Sequence, residues 1–134
     1  MRFDLRDDLP TLKAKLQADI DRSAGEIRLL FITDAPGQGM IYQEKRREAE
    51  ALLADPDLPP EQTPHLTAEA AAFDMTRAEK ATEILAQAVA WTTVSATIET
   101  RRLAAKASVQ AATSAIAART AAAVDWSDVA AAAA

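Results

Sequence analysis

Apolar residues recur with a helical period over most of this chain. Leu9, Leu12, Leu16, Ile20, Ala24, Ile27 and Phe31 follow one another at spacings of three and four, which lines one face of an α-helix. The pattern predicts an amphipathic helix over residues 10–33, with Asp8 as its cap and Pro10 tolerated in its first turn. Gly25 weakens that helix by about 1 kcal/mol relative to Ala and is expected to mark a close helix crossing. Ahead of it, Phe3 and Leu5 alternate with polar residues, which predicts an extended segment over residues 1–8. A second helix is predicted over residues 40–54, with Ile41, Lys45, Ala49 and Leu52 or Leu53 on one side. Asp34-Ala35-Pro36-Gly37-Gln38-Gly39 reads as the loop between the two.

Asp55-Pro56 stops the second helix. Residues 55–66 hold four of the six prolines and form a stiff connector. It is expected to reverse the chain, so that the helices on either side pack antiparallel. Residues 67–123 read as helical, with Thr67 capping a short helix through Phe73 and Asp74 breaking it. Thr76 and Glu79 then form a capping box, each side chain able to satisfy the other's backbone N–H. The long helix expected from Thr76 to Ala123 contains neither Gly nor Pro and is rich in strong helix formers. Its weakest interior point is Thr92-Thr93, because β-branched side chains lose rotamer freedom in a helix. Residues 124–134 read as a tail, anchored by Trp126 and frayed over its final alanines.

The long helix carries a seam. Ile84, Ala88, Trp91, Ser95, Ile98, Arg102, Ala105, Val109, Ala112 and Ile116 alternate spacings of four and three, as in the a/d positions of a coiled coil. The expected packing and interface residues are Ile84, Trp91, Ile98, Val109, Ile116 and Trp126.

Composition changes the picture of what this pattern can bury. The 49% hydrophobic content includes 33 alanines, and aromatics amount to 4%. Apolar burial stabilises at roughly 25 cal/mol per Å², so such a chain makes a thin core. The expected fold is therefore all-α: one domain over residues 1–134, an elongated helical hairpin or bundle with one long Ala-rich C-terminal helix and coiled-coil-like packing. It is expected to self-associate or dock on a partner.

The net charge of −5 comes without the basic stripe that nucleic-acid binding uses. No apolar run reaches the ~18 residues of a membrane span. The opening MRFDLRDDLP is too charged for a secretory leader, and no cysteine is present. Neither nucleic acid nor membrane is an expected partner.

Chemistry is sparse. His65 is the only histidine and reads as an exposed or locally packed side chain, with no second His or Cys at metal-ligand spacing. Glu44 with Glu48 and Glu79 with Glu83 pair carboxylates on helix faces, but among Lys and Arg they read as surface charge. Pro36-Gly37-Gln38-Gly39 lacks the spacing of a phosphate-binding loop. The expected catalytic, metal and cofactor residues are none, and the protein is not expected to be an enzyme.

Several phrases occur in a suggestive order: Pro36-Gly37-Gln38-Gly39-Met40, Tyr42-Gln43-Glu44-Lys45, Glu48-Ala49-Glu50-Ala51-Leu52 and Ala54-Asp55-Pro56. Pro64-His65-Leu66-Thr67-Ala68-Glu69-Ala70 follows, then Ala90-Trp91, Ile98-Glu99-Thr100-Arg101-Arg102 and Ala104-Ala105-Lys106. Over roughly residues 24–120 the chain resembles a family of small phage and prophage proteins found near tail and tail-fibre genes (the DUF4376-like group). Where that family has a Gly before the Thr of the long helix, this chain has Phe73-Asp74. Asp tolerates a left-handed conformation. The resemblance implies a tail-associated structural role in a phage-like particle, made in the bacterial host cytoplasm. It implies as partners other phage tail proteins and further copies of the chain, a trimer among the options. The alternative it leaves is a helical assembly chaperone absent from the mature particle.

Overall fold

The computed structural model describes residues 8–32 and 37–133. Of these 80% are helical and none lies in a strand, so the fold is all-α. The elements are α1 Leu9–Arg28, α2 Gln38–Ala54, a 3-10 turn Pro60–Gln62, α3 Pro64–Ala72, α4 Arg77–Ala111, α5 Ala115–Ala122 and α6 Ser127–Ala132. The extended segment expected over residues 1–8 lies outside the described residues except for Asp8, as do Asp34, Ala35 and Pro36 of the loop. Within the single domain expected, the chain forms two compact units, Met1–Ile32 with Val94–Ala134 and Thr33–Thr93. Each has its own core.

The unit Thr33–Thr93 is built on α2, α3 and the first turns of α4. Gly37 adopts φ 80°, a left-handed conformation that glycine takes without penalty. It starts α2 at Gln38, so Gln38 and Gly39 are helical rather than loop. Ala49 and Leu52 of α2, Leu66 of α3, and Ala81 and Ile84 of α4 form the core, with Leu58 and Leu85 against it. Leu52, Leu53 and Pro56 also share a shallow depression with Arg77 and Ala78. The segment between α2 and α4 therefore reverses the chain. It is less a connector than expected, because the 3-10 turn and α3 occupy most of it. α3 starts at Pro64, suited to a first helical turn, which leaves Thr67 inside the helix and not at its cap.

Asp74 sits at φ 53° just past α3. Met75 N donates to Ala70 O at 2.9 Å and Asp74 N to Ala71 O at 3.3 Å, the Schellman closure that satisfies the last carbonyls of a helix. Asp74 thus does the work of a glycine. The capping box forms as expected: Thr76 N donates to Glu79 Oε1, and Glu79 N to Thr76 Oγ1, both at 3.1 Å.

In the other unit, α1 and the second half of α4 run antiparallel. Their polar contacts track in opposite directions: Lys13 with Gln110, Gln17 with Lys106 and Gln110, Asp21 with Arg102 and Lys106, and Arg28 with Glu99. α1 ends at Arg28, and residues 29–31 tighten into turns through Leu30 N to Ile27 O and Phe31 N to Arg28 O. A Cβ added at Gly25 would meet nothing within 4 Å, so this glycine marks no close crossing. α5 packs on α1.

Two expectations about the long helix are corrected. It passes through Thr92-Thr93 unbroken, and both hydroxyls bond back to the carbonyls of Ala88 and Val89 at 2.8 and 3.2 Å. It breaks instead after Ala111. Ser114 is extended and its Oγ accepts from Ala117 N at 3.1 Å, an N-cap that begins α5 afresh. The tail is also more ordered than expected, forming α6 with Trp126 and Val129 buried.

Candidate functional site

Every seam position from Ile84 to Ala112 is buried or half-buried, so the spacing marks the inward face of α4. Its positions divide between two cores. Ile84 belongs to the core of one unit and Ile98 to that of the other. Val109 is fully buried. Trp91, one of the expected packing residues, is half-buried. Ile116 is 80% exposed, because the break at residues 112–114 resets the helical phase before it. Trp126 is the tryptophan that enters a core, at 9% exposure.

Three polar assemblies hold these cores. The first is Glu48, read from sequence as surface charge and in fact fully buried. Its Oε1 accepts from the backbone N–H of His65 at 2.8 Å and of Leu66 at 3.2 Å, and its Oε2 pairs with His65 Nδ1 at 2.7 Å. A carboxylate from α2 thus caps the N-terminus of α3, where free N–H groups and the helix dipole favour negative charge. Acid–base catalysis by such a His–carboxylate pair needs a substrate group beside it. The nearby hydroxyls of Thr63 and Thr67 are turned instead to each other and to Pro60 O.

The second assembly crosses α2, α3 and α4. Lys45 bonds Glu69 at 2.9 Å, and Lys80 reaches Glu69 at 3.4 Å and Glu83 at 2.9 Å. The Lys80 ammonium also lies 4.3 Å from the Phe73 ring centre, within cation–π range. Burial pushes the Glu69 carboxyl up, but the hydrogen bonds and charges of Lys45 and Lys80 outweigh it and hold it below its ordinary value. Beside this cluster, Arg77, which lines the shallow depression, donates to Thr63 Oγ1 at 3.0 Å and to Leu58 O at 2.8 Å.

The third lies in the other unit. Arg102 bonds Glu99 and Asp21, Lys106 bonds Asp21, and Arg28 bonds Glu99, tying α1 to α4. Hydrogen bonds from Lys106 and Arg102 lower the Asp21 carboxyl, and the Arg102 hydrogen bond lowers that of Glu99. Further along, Arg101 grips Asp128 with two bonds of 2.6 Å and reaches Asp125 O at 3.3 Å. This holds the Asp128 carboxyl down at about 2. Trp126 Nε1 donates to Ser23 Oγ at 3.2 Å. Trp126 and Val129 complete a core with Ala24 and Ile98, against Ile27, Phe31, Val94 and Val124.

Sequence reasoning missed Glu48 and Asp128 as structural residues. Glu48 had a signal: it lies beside Ala49, on the side of α2 set by Ile41, Lys45 and Leu52, where a charge needs a partner. Asp128 had none, since its partner lies 27 residues away. Among the described residues, no three acidic, His or Cys side chains gather as metal ligands, and no helix is long and apolar enough to cross a membrane. No protein-family model, curated protein or solved structure matches the chain.

Proposed function

We propose that this chain is a non-enzymatic structural component of a phage-type particle, a tail- or tail-fibre-associated adaptor that assembles with copies of itself and with tail proteins. One observation carries the assembly part of the reading: large apolar side chains stand in water on several helices. Met40 is 74% exposed, Val89 67% and Ile116 80%, while the buried cores are small, with alanine at two of the five buried positions in one and one of the four in the other. Exposed apolar groups beside thin cores suit a protein that completes its burial against a partner. The phage context rests on the ordered sequence phrases from Pro36 to Lys106. The polar assemblies support a scaffolding role, since each ties helix to helix.

Mass spectrometry of purified particles tests the reading. The chain is expected among the particle proteins in stoichiometric amount. Its absence there, with capture of a tail protein from the assembling cell, would replace the structural role with that of an assembly chaperone.

A further inference from the structure

The segment Val124–Ala133 is held by two helices far from it in sequence. Its Trp126 and Val129 fill a groove formed by Ala24, Ile27 and Phe31 with Val94 and Ile98. At the rim, Ser23 Oγ takes the indole N–H and Arg101 takes the Asp128 carboxylate. The groove therefore reads an indole, a carboxylate two residues on, and a branched apolar side chain directly after. The link from α5 into the segment is short and irregular. Residues 123–126 are non-helical, and the six residues of α6 are too few to hold a helix unaided.

We propose that this groove is a self-recognition site, in which the segment Val124–Ala133 of one copy seats in the groove of a second copy. The proposal rests on the self-association read above and names its surface. Groove and segment are complementary because every copy carries both. An exchanged segment makes with the partner the contacts it makes at home, so exchange sacrifices none of them, and linker geometry and concentration set the balance. The charge match gives direction. The groove supplies the cation and the segment the anion, so neither groove with groove nor segment with segment satisfies the charges. Release is feasible because the pair lies at the surface, with side chains 33% and 64% exposed. Opening it strands no buried charge.

A charge swap in the full chain tests this. Arg101→Asp and Asp128→Arg each set like charges against each other, within the chain and in any self-exchanged dimer. Mixed in equal amounts, the two variants restore opposite charges only by exchanging segments. The expected result is a species of twice the 14.3 kDa chain mass in sedimentation of the mixture, which neither variant gives alone. A mixture profile equal to the sum of the separate profiles overturns the proposal.

Circular dichroism of each variant checks its fold. If either loses helicity, isotopically heavy and ordinary unmodified chains are mixed instead and followed by native mass spectrometry beside Trp126→Ala and Val129→Ala chains. Dimers that persist in both variants overturn the exchange while leaving self-association in place. Dimers lost in both variants support it. An unmodified chain that stays monomeric overturns the proposal, even where the charge-swapped pair dimerises.

Discussion

Removing the Glu48 carboxylate would leave the His65 and Leu66 N–H groups at the start of α3 without their acceptor. Orphaned buried donors cost about 1–3 kcal/mol, and a lost cap about 1. Glu48→Ala is expected to lower the unfolding free energy by roughly 2–3 kcal/mol. Glu48→Gln keeps an acceptor oxygen for the backbone and should lose less than half as much. Urea denaturation of the two variants measures both, and equal losses would place the effect in packing and not in the cap. The two tryptophans differ in burial. Trp126, near the end, is buried in a core and bonded to Ser23, whereas Trp91, in mid-helix, is half-buried. Trp126→Ala is expected to cost about 3 kcal/mol or more, and Trp91→Ala clearly less. Thermal melts of both variants in one buffer decide the order.

Among the elements, two helix interruptions show what a sequence pattern carries. Asp74 is legible as a break because it precedes a capping box, and its left-handed φ of 53° belongs to the Schellman closure of α3. The break at Ser114 is not legible. One serine in an alanine run is neutral as a helix residue, and only its use as a cap ends one helix and starts another. The 3–4 spacing locates the inward face of α4, since the backbone period fixes it locally. It cannot say which core each position enters, because that depends on partners tens of residues away. Glu48 illustrates the same boundary: its place on α2 is local, but its ligands belong to α3. Two substitutions test the element-level account. Gly25→Ala, with open space around the added methyl group, is expected to raise stability by about 0.5–1 kcal/mol. Asp74→Gly should be neutral or slightly stabilising, while Asp74→Val should destabilise by about 1 kcal/mol or more. Calorimetric midpoints give all three, and a stable Asp74→Val chain would contradict the left-handed assignment.

At the scale of the molecule, carboxylates held by Arg and Lys set the response to acid. Asp128 titrates near 2 in the folded chain, against about 3.9 for an unfolded Asp. Asp21, Glu99 and Glu69 are also lowered. Each folded value lies below its unfolded one, so the stabilisation is complete above the unfolded range. It drains away as pH falls through the folded values. Stability is expected to decline between about pH 4 and pH 2, and Arg101→Gln should flatten part of that decline. Denaturation midpoints measured across the range at low salt test it, where exposed pairs are least screened. The two units also differ in how far apart in the chain their partners lie, and this has a consequence during synthesis. Glu48 meets His65 across 17 residues, so α2 and α3 can join soon after both leave the ribosome. α1 bonds residues 71 to 103 positions later. At roughly 5–20 residues per second, α1 waits on the order of 5–20 seconds for those partners. Through that interval Leu12, Ile20 and Ala24, all buried in the finished fold, have no helix to cover them. The nascent chain is thus most open to chaperone capture, or to misassociation with a neighbouring nascent copy, at α1, whose partners follow at such a distance.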